Sequence, residues 1–274
     1  MTFIEILKAI FFGIVEGITE WLPISSTGHM ILLDEFIKLK VSDAFLEMFL
    51  VVIQLGAILA VVVLYWGKLF PFSKSEPFFI KKSIMVMWMK ILVACIPAAI
   101  IGIKWGDQID ALFYNYKSVS MALIVFGILF ILIENKHKDT IPKINTIDEI
   151  TYATALKIGI FQLIAAVFPG TSRSGATILG GLTLSMSRTV AAEFTFFLAV
   201  PVMFGASLLK FLKFGFDFTS DELIILGTGL ITAFIVSIIA ITFLMGYIKK
   251  HDFKIFGWYR IVLAIIVLTY FWII

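Results

Sequence analysis

The chain has 274 residues, 61% hydrophobic and 15% charged. Soluble domains carry nearer a quarter charged residues, so the composition excludes an ordinary water-soluble globule and indicates an all-α polytopic membrane protein. A formal net charge of +3 without a clustered basic arm gives no reason to invoke nucleic acid, and the single cysteine, Cys95, allows neither an internal disulfide nor a Cys-rich metal site.

The first apolar stretch, 3–33, does not behave as a simple span. Glu5 and Lys8 fall where a cleavable leader needs a basic start and an apolar core, so no leader is expected. Further on come Glu16, Glu20, Pro23, the string Ser25-Ser26-Thr27-Gly28 and His29. Carboxylates and a histidine are costly against lipid. Irregular backbone at membrane depth survives only inside protein or beside a water-filled cavity. The stretch therefore predicts a re-entrant helix–turn–helix. Clean spans follow at 45–65, 84–103 and 118–134, then a polar linker, 138–149. A second interrupted stretch, 158–182, carries "FPGTSRSGAT" (168–177) and predicts a second re-entrant segment. Spans at 188–212, 222–247 and 256–274 complete the chain.

The two interrupted stretches match under a gapless shift of 146 residues, which places Gly13 on Gly159, Pro23 on Pro169, Ser26 on Ser172 and Glu47 on Glu193. This predicts one membrane domain made of two structural repeats, about 1–137 and 150–274. Each repeat holds one re-entrant segment and three spans. Three is odd, so the repeats are of inverted topology, an arrangement whose site lies where broken helices meet near the midplane. The two polar segments should then converge. Lys and Arg divide 13 to 7 between the faces, leaving Lys90 and Arg173 within the membrane and counting Lys74 and Arg260 on the richer face. The richer face is expected to be cytoplasmic, so that the first re-entrant segment opens outward.

Glu16 and Glu20 are one helical turn apart. Two carboxylates that close repel unless a cation or a proton lies between them. They either hold a hard divalent cation, Mg²⁺ or Ca²⁺, or form a structural pair with a basic or backbone group. Pro23 ends the helix, and a new helix starting near Gly28 would offer free N–H groups to an anion. Ser25, Thr27 and Gly28 belong to that turn, and His29 is placed for acid–base or nucleophilic work. Arg173 is the only arginine in the first 187 residues. At membrane depth it needs an anion, either a phosphate or one of the glutamates. Thr171, Ser172 and Ser174 add donors. Together these groups indicate phosphoryl chemistry on a lipid.

"EGITEWLPISSTGH" (16–29) and "PGTSRSGAT" (169–177) resemble the two signature motifs of the undecaprenyl-diphosphate phosphatase family, the bacterial bacitracin-resistance proteins. "VVIQLGAILAVV" (51–62) and "EFTFFLAVP" (193–201) resemble its intervening segments. The resemblance covers essentially the whole chain. It implies hydrolysis of undecaprenyl diphosphate to undecaprenyl phosphate and inorganic phosphate, recycling the carrier for peptidoglycan synthesis. It also implies a divalent cation and a multi-pass location in the bacterial plasma membrane with the site open to the outer face. By the same resemblance Glu16 and Glu20 serve metal and activity, Ser26 and His29 match a catalytic serine and histidine, and Arg173 matches an essential arginine. Ser25, Thr27, Ser172 and Ser174 flank them. Serine, histidine and a metal-activated water all stand as candidate nucleophiles. Leu50 departs from the acidic residue that relatives often carry before "VVIQLG". The type 2 phosphatidic-acid-phosphatase pattern is excluded, because Leu179 and Phe194 stand where it requires a histidine six residues after its arginine.

The rival reading is a transporter or flippase for a phosphorylated polyprenyl lipid, since inverted repeats with broken helices are a transporter plan. A homodimer is a further option that the sequence leaves open.

Overall fold

The computed structural model describes residues 3–73, 79–138 and 140–273, apart from the side chains of Asp34 and Glu35. Lys74 and the linker residue Asp139 lie outside the described residues. Twelve helices are found among those described, joined by short turns and two isolated β-bridges, with no sheet. In chain order they are α1 (Phe3–Thr19), α2 (Ser26–Phe36), α3 (Asp43–Val52), α4 (Gln54–Leu64), α5 (Trp66–Leu69), α6 (Lys82–Phe113), α7 (Tyr116–His137), α8 (Tyr152–Val167), α9 (Arg173–Thr183), α10 (Arg188–Phe214), α11 (Ser220–Tyr247) and α12 (Lys254–Ile273).

Six stretches are long and apolar enough to cross a membrane: Asp43–Leu64, which includes α3 and α4, and then α6, α7, α10, α11 and α12. These match the six expected spans to within a few residues, except that α6 runs ten residues beyond the expected 103. The outer faces are apolar: Ile103, Met121, Ile239 and Trp272 are all more than half exposed. Water does not tolerate so continuous a greasy exterior on a monomer, whereas a bilayer does. The interior is aromatic, with Trp21, Phe130, Phe194, Phe196, Phe197 and Phe253 at 1% exposure or less.

The two interrupted stretches fold as expected into pairs of short helices, α1–α2 and α8–α9. Each pair packs against the other half of the chain, α1 along α11 and α8 along α6. Glycine permits both approaches. A Cβ on Gly13 would lie 2.7 Å from the Gly229 carbonyl, and one on Gly159 would meet the Ala94 carbonyl. The polar linker is not loose: the Lys143 and Ile144 amides donate to the Ser185 carbonyl, and Ser187 N donates to Ile144 O. At the same end a bidentate bridge joins Arg188 to the buried Glu134, which also accepts from Phe253 N at 3.0 Å. This ties α7, α10 and α12 together.

One expectation fails here. Arg260 does not belong to the charged face on which it was counted. It sits six residues into α12 and is fully buried.

Candidate active site

Helix α1 releases at Thr19, four residues before Pro23, because the proline has no N–H and disfavours a helical Leu22. The chain still coils loosely beyond that point. Glu20 N donates to Glu16 O at 3.0 Å, so the two glutamates keep their one-turn relation. Helix α2 begins at Ser26, two residues before the expected start near Gly28. Ser25 is its N-cap, with φ +73°, and its hydroxyl accepts from Gly28 N at 3.3 Å. The second turn repeats the device. Ser172 caps α9 with φ +69° and accepts from Gly175 N at 3.1 Å. The geometric counterpart of Ser172 is therefore Ser25, not Ser26 as the gapless shift implied. The second turn has one more residue between proline and cap. Gly170 is the residue that takes φ +93° there, and a side chain on it would strike the Val119 carbonyl.

The two turns meet. Arg173 Nη2 donates to Glu20 Oε1 at 2.8 Å, and Ser174 Oγ donates to the Glu20 carbonyl at 3.0 Å. Ser26 Oγ donates to the other Glu20 oxygen, Oε2, at 3.0 Å. Ser26, Glu20 and Arg173 thus form one hydrogen-bonded chain across both turns. Arg173 is held from a third side by the Thr195 carbonyl of α10 at 2.9 Å and lies 5.8 Å from the Trp21 ring centroid. The Arg173 and Glu20 side chains are only 13% and 9% exposed. Loss of either partner would strand the other charge, which typically costs about 3–5 kcal/mol.

Arg260 locks the arrangement from behind. It donates to Pro23 O at 3.2 Å in the first turn, and to Gly170 O at 2.9 Å and Thr171 O at 2.6 Å in the second. Phe126 and Phe130 lie about it at 5.7 and 6.0 Å. One guanidinium thus satisfies three carbonyls that the two turns leave without helical partners.

The other expected residues divide. Thr171 is buried with its hydroxyl unpartnered, and Ser172 Oγ bonds Ser174 Oγ at 3.1 Å. Thr27 is partly exposed and enters none of these bonds. His29 is not joined to the Glu20–Arg173 pair. Its Nδ1 bonds the Ser25 carbonyl and its Nε2 bonds the Tyr259 hydroxyl, both at 2.7 Å. Glu16 is 1% exposed and its Oε1 has no partner. A buried carboxylate oxygen without a donor, one turn from a second carboxylate, fits a hard cation. No group of three or more His, Cys, Asp or Glu placed to hold a metal ion is found among the described residues. A cation held by Glu16 and Glu20 would therefore complete its shell with water and substrate oxygens, the usual habit of Mg²⁺.

Four participants escaped the sequence reading: Arg260, Thr195, Trp21 and Tyr259. A charge six residues inside an apolar run was the available signal for Arg260. Thr195 acts through its backbone and left none.

The sequence matches the family model described as Bacitracin resistance protein BacA over residues 9–266. It is 69% identical over 271 residues to an Undecaprenyl-diphosphatase of Desulfitobacterium hafniense, covering 99% of this chain and 98% of that one. It is 68% identical over 274 residues to Undecaprenyl-diphosphatase 1 of Clostridium acetobutylicum, covering 100% of both. A third relative, the Undecaprenyl-diphosphatase of Enterococcus faecalis, is 60% identical over 98% of each chain. Matched along nearly its whole length and bearing both polar turns, the chain belongs to the BacA bacitracin-resistance family of multi-pass membrane proteins.

Proposed function

We propose that this protein is an integral-membrane phosphatase that hydrolyses undecaprenyl diphosphate to undecaprenyl phosphate and inorganic phosphate, recycling the lipid carrier for cell-wall synthesis. Full-length relatives at 60–69% identity bear the name of that activity. The observation that carries the reading to particular residues is the Ser26–Glu20–Arg173 chain across the two turns. A nucleophile bonded to a base, itself oriented by a third group, is the arrangement covalent catalysis requires. A flippase needs a cation for the head group but has no use for a serine aimed at a carboxylate.

Ser26 Oγ bonds to the terminal phosphorus while its proton passes to Glu20. The bond from that phosphorus to the bridging oxygen breaks, and undecaprenyl phosphate leaves. Water then attacks the phosphoserine, the proton held by Glu20 passes to the Ser26 oxygen as its bond to phosphorus breaks, and inorganic phosphate leaves. Arg173 neutralises charge on the transferring group. The free N–H groups of the first turns of α2 and α9 add donors, with Ser25, Thr27, Gly28, Thr171, Ser172 and Ser174 lining the head group. A divalent cation, Mg²⁺ or Ca²⁺, would be held by Glu16 and Glu20 and would supply neutralisation of phosphate charge.

The same reading assigns two inverted-topology repeats within one membrane domain, with α1–α2 and α8–α9 as re-entrant pairs. Two reciprocal ion pairs support it. Glu47 near the start of α3 pairs with Lys210 near the end of α10, and Glu193 near the start of α10 pairs with Lys68 of α5. The site opens to the outer face in the bacterial plasma membrane.

The test is phosphate release from undecaprenyl or farnesyl diphosphate by purified protein, with and without EDTA. Release that stops in EDTA and returns with Mg²⁺ or Ca²⁺ is expected. No release with any divalent cation would overturn the enzyme reading, and release indifferent to EDTA would overturn the metal.

A further inference from the structure

Thr195 stands two turns into α10, fully buried in a run with Phe194, Phe196, Phe197 and Leu198. A hydroxyl there is costly unless it finds a partner. Its partner is on α9: Thr195 Oγ1 lies 2.8 Å from Thr177 Oγ1. The direction of that bond is forced. Thr177 Oγ1 donates back into its own helix, to the Arg173 carbonyl at 2.9 Å and the Ser174 carbonyl at 3.3 Å, and a carbonyl oxygen only accepts. Thr195 is therefore the donor. Its own carbonyl in turn accepts from Arg173 Nη1 at 2.9 Å. Thr195 thus reaches Arg173 at both ends, the guanidinium directly and the backbone through Thr177. The ring of three bonds so closed contains no charged acceptor.

We propose that Thr195 is a positioning residue for Arg173: its hydroxyl pins α10 to α9, so that its carbonyl keeps hold of the guanidinium while Glu20 is protonated. This rests on the reading above in which Glu20 takes the Ser26 proton. In the resting site Arg173 Nη2 donates to Glu20. Once the proton has moved, that ion pair has lost its charge, in the step that most needs the guanidinium in place. Met203 Sδ, 3.3 Å from Nη2, is a thioether and only a weak acceptor. The Thr195 carbonyl is the contact whose strength does not depend on the charge of Glu20. With Nη1 anchored there, Nη2 passes from Glu20 to the phosphate without the arginine leaving its place.

The experiment uses the full chain in detergent with ¹⁵N-labelled arginine, the Arg173 signals being assigned by their loss in Arg173→Lys. A guanidinium gripped at Nη1 turns slowly about its Cζ–N bonds and shows resolved Nη signals. Glu20→Gln stands in for the protonated base. Resolved signals should survive in Glu20→Gln and collapse when Thr195→Val, which keeps the shape and removes the hydroxyl, is added. Collapse in Glu20→Gln alone, or resolved signals in the double variant, would overturn the proposal. With Glu20 intact, Thr195→Val should lower kcat about tenfold, within the roughly 10²-fold that a misplacement of about 1 Å costs. KM should change little, because the ion pair still holds Arg173 until the proton moves. Thr195→Ser restores the hydroxyl and should recover most of the rate, and Thr195→Val should have no further effect on an Arg173→Lys background. An equal loss in Thr195→Ser, or an undiminished loss without Arg173, would also contradict it. Normal kcat in Glu20→Gln would instead remove Glu20 as the base, and the nitrogen signals would still decide whether Thr195 holds Arg173.

Discussion

The two turns share a backbone and differ in what they carry. Ser25 and Ser172 cap their helices in the same left-handed conformation, and each accepts from a glycine amide three residues on. The first turn then presents Glu20, Ser26 and His29, while the second presents Arg173. The helices leading into them diverge in the same way. Under the 146-residue shift Glu16 faces Gln162, which is also buried and whose amide atoms are also unpartnered, but which carries no charge. One device for exposing helix N-termini has thus been used twice, with negative charge gathered on one copy and positive charge on the other. Under the proposed function neither copy is a site alone, and the substitutions expected to matter most are those that divide them.

The largest effect is expected from Arg173→Ala, which removes the positive half. Phosphate release should fall about 10³-fold in kcat/KM, the scale of a lost phosphate-binding arginine. Arg173→Lys should recover little, because an ammonium cannot hold Glu20, the Thr195 carbonyl and phosphate with one planar fork. Next is Arg260→Met, which leaves the turns in place but unbraced. Three buried carbonyls lose their donor, each worth about 1–3 kcal/mol, so a loss of about 3 kcal/mol is expected in the thermal unfolding of detergent-solubilised protein. Smaller again is the charge contrast between Glu16 and Gln162. Glu16→Gln should raise the cation concentration for half-maximal activity at least about tenfold, while Gln162→Leu should leave it unchanged. Titration of both variants with Mg²⁺ separates them. The smallest effect tests what the turns share. Ser25→Ala and Ser172→Ala should each cost about 1 kcal/mol of stability, and the glycine variants only a few tenths, because glycine accepts the positive φ of both caps.

Much of this is legible in the sequence. Apolar run length fixes where a bilayer-spanning helix can lie, so the six spans emerged nearly in place. The Pro–Ser–Gly echo marked the two turns, and the repeat it implied predicted that they converge. The failures have a common cause. Hydropathy reports how long an apolar run is and not which face of it turns inward. Arg260 therefore read as one more charge at a membrane edge, although its face of α12 looks onto both turns. The cap register slipped by one because a gapless comparison cannot see the extra residue that Gly170 makes possible in the second turn.

The central claim is that Glu20 and Arg173, 153 positions apart, work as one unit. Phosphate release by Glu20→Ala, Arg173→Ala and the double variant tests it most directly. Groups that act together lose their function together, so either single variant should abolish nearly all turnover and the double variant should lose no more. Losses that multiply in the double variant, or normal turnover in either single one, would contradict the account.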